Sequence, residues 1–265
     1  MTVRTPARAS IVAALVVAGF MALTAVAANA EVIYSNFPKP LPGNIQSVGF
    51  QATSAAELGG QIELAGPART NPIVVVGMSS WSCQSGGAED GSCLSTSHSS
   101  YSWPITLNIY EVGAGGAVGN RIVTLTQSFP IPYRPSADAR CGSNGGWYKA
   151  KSCFHGKLFK IKFARLGSAK SPLTLPPRVI VSVAFNTFTH GYAPTGEDGP
   201  YDSLNVALAE SPGTLVGGDP QPDDAYFNTS FAGFYCDEGT GGTNVFRLDA
   251  GCWTAAQPLI EVRSS

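Results

Sequence analysis

The feature that most constrains this chain is a period of two. In Phe159-Lys160-Ile161-Lys162-Phe163 the apolar side chains fall on one face and both lysines on the other, as in a strand buried on one side. Ile105, Leu107 and Ile109 alternate with Thr106, Asn108 and Tyr110, and Val123, Leu125 and Phe129 share one face. Val179, Val181, Val183 and Phe185 repeat the pattern, as do Leu204, Val206 and Leu208, and shorter runs lie at 32–37, 47–52, 61–65, 73–78, 225–228 and 259–262. Long segments with a 3.6-residue period are absent, so amphipathic helices are not the main elements. About eleven runs, separated by Gly, Pro, Ser and Asn clusters and by long, uneven loops, predict an all-β fold. The expected form is a two-sheet β-sandwich of jelly-roll type with long disulfide-restrained loops. No Gly/Ser or Pro tract divides two hydrophobic halves, and the Pro-rich stretch at 37–42 lies too near the start to act as a linker. Residues 31–265 are therefore read as a single domain.

Composition narrows the partners. Charged residues are 13% of the 265, about half the usual share of about 25%, while 44% are hydrophobic, which argues against disorder. The formal net charge is −1, and loss of Arg4 and Arg8 with a leader makes it two more negative. A nucleic-acid footprint needs clustered basic charge, so no nucleic-acid partner is expected.

Residues 1–30 read as a secretory signal. Arg4 and Arg8 precede an uncharged run from 11 to 28, and Ala28-Asn29-Ala30 supplies the small residues a signal peptidase needs, leaving Glu31 first. The rival reading is a retained anchor, since the run approaches bilayer length. No later run is long and apolar enough to cross a membrane, so the expected location is secreted or in the cell envelope. Cys83, Cys93, Cys141, Cys153, Cys236 and Cys252 form an even set, for which oxidation is expected in an exported chain. Sequential pairing is favoured because each couple brackets a turn-rich stretch, although spacing alone does not fix connectivity. Such short loops would contribute at most about 3 kcal/mol each, so the bridges mainly restrain loops. No C-x-x-C pair occurs and His98, His155 and His190 are scattered, so neither a metal nor a cofactor is expected.

Gly49-Phe50-Gln51-Ala52-Thr53, Pro104-Ile105-Thr106-Leu107-Asn108-Ile109-Tyr110, Ile131-Pro132-Tyr133-Arg134-Pro135-Ser136-Ala137-Asp138 and Pro200-Tyr201-Asp202-Ser203-Leu204-Asn205-Val206 together resemble a group of uncharacterised secreted bacterial β-sandwich proteins. The similarity spans most of residues 31–262. It implies a fold and an address, and it offers no functional residues to carry over.

Catalytic motifs are weak. Ala209-Glu210-Ser211-Pro212-Gly213 lacks the first glycine of a nucleophile elbow and reads as a turn. Gly239-Thr240-Gly241-Gly242-Thr243 lacks the lysine and following helix of a phosphate loop. Asn228-Thr229-Ser230 fits an N-glycosylation acceptor, which matters only in a glycosylating host. Acidic residues gather at Glu197, Asp198 and Asp202, at Asp219, Asp223 and Asp224, and at Asp237 with Glu238, but their spacing fits no calcium loop and a solvated surface is the simpler reading. Aromatic residues crowd the same region, namely Tyr192, Tyr201, Tyr226, Phe227, Phe231, Phe234, Tyr235 and Trp253. Flat rings beside carboxylates can hold a sugar, so the expected ligand-binding set is Tyr192, Tyr201, Asp202, Tyr226, Tyr235 and Asp237. The function expected is a non-enzymatic module for adhesion or for binding a glycan or cell-envelope polymer. The alternatives are a glycan hydrolase using Asp202, Asp223 and Asp237, and a purely structural envelope component.

Overall fold

The computed structural model describes residues 30–187, 203–210, 213–254 and 256–264. Residues 1–29, which hold nearly all of the expected signal, and Tyr192, Tyr201 and Asp202 of the expected site lie outside the described residues.

The fold is all-β, as the alternation demands. One antiparallel sheet holds β1 (Glu31–Ser35), β2 (Ser47–Gly49), β4 (Ile73–Ser80), β9 (Lys157–Lys162), β11 (Leu204–Glu210), β14 (Ala256–Pro258) and β15 (Ile260–Ser264). The other holds β3 (Ala55–Glu63), β5 (Ser100–Val112), β6 (Val118–Pro132), β10 (Arg178–Ala184), β12 (Asp224–Thr229) and β13 (Arg247–Ala250). A separate hairpin pairs β7 (Trp147–Lys149) with β8 (Ser152–Phe154). The first sheet runs β1-β15-β4-β11-β14 and the second β13-β12-β3-β10-β5-β6. Consecutive strands β3, β4 and β5 alternate between the sheets, as do β9, β10 and β11, an interleaving compatible with the jelly-roll expectation.

The central strand of the first sheet is β4. Its residues 75–80 pair with β9 while 73–76 and 78–80 pair with β15 and β11, so both of its edges are occupied. All eight β4 residues are buried, which is why its sequence reads as a continuous apolar run rather than an alternation. Val74, Val76 and Met78 face the main core, together with Leu58 and Ile62 of β3, Leu107 of β5, Val181 of β10 and Phe227 of β12. Burying each such side chain contributes about 1.5–3 kcal/mol, so the space between the sheets dominates stability.

A smaller cluster covers the other face of the first sheet. Phe37, Val75, Ala207, Ala209 and Leu259 are buried there, with Ile45 and Leu158 packed against them. The segment between β1 and β2 therefore lies across this face, and Lys160 places its ammonium 4.0 Å from the Phe37 ring centre. This covering segment builds one wall of the cavity described below.

Candidate functional site

The described members of the expected ligand set do not form a binding surface. Tyr226 is fully buried, and its hydroxyl lies 3.0 Å from Gln61 Oε1, 2.5 Å from the Gly116 carbonyl and 3.1 Å from Gln221 Oε1. Burial pushes its phenol pKa upward, and Asp224 acts in the same direction. Tyr235 is 3% exposed; its hydroxyl donates to the Val245 carbonyl at 2.9 Å and accepts from Thr229 N–H at 3.1 Å. The Arg247 guanidinium lies 4.0 Å from the centre of the same ring. Neither tyrosine presents a stacking face to solvent, which corrects the expectation for both rings.

Asp237 is exposed but occupied. Its Oδ1 accepts from Gly239 N–H and Arg247 Nη2, and its Oδ2 accepts from Gly241 N–H, so the carboxylate closes its own turn. Arg247 and these amides hold its pKa below the ordinary aspartate value. Asp249 is the interior carboxylate of this region, accepting from Cys236 N–H at 2.9 Å and Trp253 Nε1 at 2.7 Å. Among the described residues, Asp249 with Cys236 and Cys252 is the one cluster of three metal-ligating types, and both sulfurs are committed to a disulfide. Asp219, Asp223 and Asp224 form no such cluster.

A cavity of about 280 Å³ opens elsewhere, at one end of the covered face of the first sheet. That is just under the ~300 Å³ of the smaller ordinary ligand pockets. Its lining comes from three stretches of chain: Gly43 to Gln46 of the covering segment, Ser79 with Trp81 at the end of β4, and His155, Gly156 and Leu158 where β9 begins. Ile45 and Leu158 join its apolar side to the Phe37 cluster. Trp81 and His155 stack to form one aromatic wall, with ring centres 5.6 Å apart and planes 20° apart. Gly156 permits this closeness, because a Cβ there would lie 2.5 Å from Trp81 Nε1 and 2.2 Å from Ser79 Oγ.

Two polar atoms of that wall are unsatisfied. Trp81 Nε1 and His155 Nδ1 are buried without a hydrogen-bond partner. Such a group costs about 1–3 kcal/mol, and interior groups of this kind call for an explanation. No Asp, Glu, Lys or Arg lines the cavity. Neither nitrogen reaches the cavity surface, so the cavity itself offers the Trp81 and His155 rings and the exposed amides of Asn44 and Gln46. It suits an uncharged ligand with one flat apolar face and hydrogen-bonding edges.

The cavity walls are anchored by disulfides. Cys83 pairs with Cys93, Cys141 with Cys153, and Cys236 with Cys252, the sequential pattern favoured from the spacing. Trp81 lies two residues before Cys83, and His155 two residues after Cys153. The covering segment is tied to the same place, since Asn44 Nδ2 donates to the Cys153 carbonyl at 2.9 Å. Asp138 caps the short 3-10 turn Ala139–Asn144 that carries Cys141, accepting from Arg140 N–H at 3.0 Å and Arg140 Nε at 2.8 Å.

The Arg140 contacts push the Asp138 pKa from 3.8 down to about 2. A depressed carboxylate contributes stability that is full above its unfolded value and is lost as pH falls through the folded one. The Cys141 amide, which donates to the Asp138 carbonyl, should therefore lose hydrogen-exchange protection between about pH 4 and pH 2. Asp138→Asn should flatten that dependence, and an unchanged profile in the variant would rule the carboxylate out as its cause.

Comparisons of the chain with family models, with curated proteins and with solved structures return no match.

Proposed function

We propose that the chain is an exported, non-enzymatic binding module whose cavity takes a neutral sugar ring of a glycan or cell-envelope polymer. The observation that carries this reading is the stacked Trp81–His155 pair, which sets an aromatic surface beside the exposed amides of Asn44 and Gln46 in a cavity lined by no Asp, Glu, Lys or Arg. A pyranose has one apolar face for the indole and hydroxyls for the amides. Three disulfides indicate an oxidising compartment, where envelope polymers are met. No helix among the described residues is long and apolar enough to cross a membrane. Binding is preferred over hydrolysis because the cavity lining holds no carboxylate, whereas glycoside hydrolysis ordinarily needs two.

The test is a glycan and cell-wall polymer binding screen on the oxidised protein, followed by titration of the best ligand against Trp81→Ala. Loss of a buried aromatic anchor at the centre of a site costs at least about 2 kcal/mol, so the variant should bind at least tenfold more weakly. His155→Ala should weaken binding in the same direction. Equal affinity of wild type and both variants, or no binding to any polymer, would refute the proposal.

A further inference from the structure

The side chain of Arg134 is the largest one fully buried in the described structure, and no carboxylate among the described residues pairs with it. Its Nη1 donates to the Ala88 carbonyl at 2.8 Å, its Nη2 to the Gly145 carbonyl, and its Nε to the Pro135 carbonyl at 3.2 Å. Ala88 lies inside the loop closed by Cys83–Cys93, and Gly145 inside the loop closed by Cys141–Cys153. The backbone N–H of Arg134 donates to the Ser82 carbonyl at 3.0 Å, the residue next to Trp81. The neighbouring residues continue the seam, with Ala137 N–H donating to the Cys93 carbonyl and Asp138 N–H to the Gly146 carbonyl, both at 2.9 Å. The two loops also touch directly. A Cβ on Gly145 would lie 2.4 Å from the Ala88 carbonyl oxygen, and the residue holds φ 68°, a conformation that glycine adopts without strain.

From this geometry we infer that Arg134 is a positioning residue for the Trp81–His155 cavity: its guanidinium fork joins the two disulfide loops that each flank one aromatic wall. The inference rests on the sugar-binding reading for its ligand, but its geometric part stands apart from it. Each wall hangs from a disulfide two residues away, and nothing in either disulfide sets one loop against the other. The β4–β9 register brings the two rings to one end of the sheet, and the fork sets the loops beyond them, because two different nitrogens of one rigid plane hold carbonyls of the two loops. A lysine supplies a single flexible ammonium in place of that plane. The Cys236–Cys252 bridge belongs to the Asp249 and Trp253 region and has no part in this coupling.

Three variants separate positioning from general stability: Arg134→Lys, the double variant C83S/C93S, and C236S/C252S as a control. Two readouts are needed. The first is the Trp81 indole N–H resonance in ligand-free protein, with the Trp103, Trp147 and Trp253 indoles as internal references. The second is the affinity for the glycan selected by the binding screen. Arg134→Lys and C83S/C93S should shift or broaden the Trp81 resonance while that of Trp253 stays in place, and should weaken binding at least tenfold. C236S/C252S should leave the Trp81 resonance and the affinity unchanged. An unmoved Trp81 resonance with unchanged affinity in Arg134→Lys would overturn the inference, as would equal losses in all three variants. If the wild type binds no glycan, the functional proposal fails, and the Trp81 resonance in Arg134→Lys still decides whether Arg134 positions the wall.

Discussion

Replacing Arg134 with alanine should lower the thermal midpoint by about 10 °C at neutral pH. Burial disfavours the charged guanidinium and pushes its pKa from 12.5 down to about 10, so desolvation opposes the native arrangement. The carbonyls of Ala88, Gly145 and Pro135 offset that cost through charge-assisted hydrogen bonds, each worth more than a neutral one. Alanine removes the donors, leaves the buried Gly145 carbonyl and the half-buried Ala88 carbonyl without them, and opens a void where the largest buried side chain stood. Unpaired acceptors cost about 1–3 kcal/mol each, so a total of about 3–5 kcal/mol is expected. At about 2–4 °C per kcal/mol for a domain of this size, the shift is large enough for a calorimetric scan to resolve clearly. A change below about 2 °C would mean that the two loops hold each other without the fork.

Tyr235→Ala should cost a comparable amount, about 3–5 kcal/mol, by emptying a buried aromatic position. The ring packs edge-on to Phe227 with centres 5.9 Å apart, and its hydroxyl links Thr229 to Val245 across the loop between β12 and β13. Tyr235→Phe should keep the packing and lose only the hydroxyl bonds, for about 1–2 kcal/mol. Neither variant should alter ligand affinity, since the ring is buried and does not line the cavity. Comparing the midpoints of the two variants separates packing from hydrogen bonding, and a Tyr235→Ala variant as stable as wild type would contradict the burial of this ring.

The fate of Tyr235 shows where sequence reasoning reached and where it stopped. Strands with one wet face announced themselves: Phe159, Ile161 and Phe163 pack against the core while Lys160 and Lys162 are exposed, and Val179, Val181 and Val183 are buried on the matching face of β10. The disulfide partners were legible because each pair closes a short loop. The first half of β3 was not, since Ala55, Ala56, Gly59 and Gly60 carry little strand propensity. Gly59 is there for contact, because a Cβ would lie 2.7 Å from Ser182 Cβ on β10. The three-residue strands β2, β7, β8 and β14 are too short to show a period, and of these only the β2 region stood out in the sequence.

The site was the least legible part. Aromatic density between 192 and 253 drew attention to Tyr226, Phe227 and Tyr235, which the fold uses as core, while Phe231, paired to Phe234 at 5.3 Å, is 59% exposed. The cavity instead joins residues 43–46, Ser79 with Trp81, and His155, Gly156 and Leu158, which no local motif connects. One signal was present in the sequence: a tryptophan and a histidine, each two residues from a cysteine of a short bridged loop. Its meaning depends on the pairing of β4 with β9, where Ser80 stands opposite Lys157, and that register brings Trp81 and His155 together.

The most direct test of a sugar-binding cavity is to follow the four tryptophan indole N–H resonances while the selected glycan is titrated into the oxidised protein. The Trp81 resonance should move progressively and saturate with the same dissociation constant as the bulk titration, together with the imidazole signals of His155, while Trp253 remains fixed. Saturable movement of Trp253 with Trp81 unmoved would place the ligand on the loops after β12 and contradict the account.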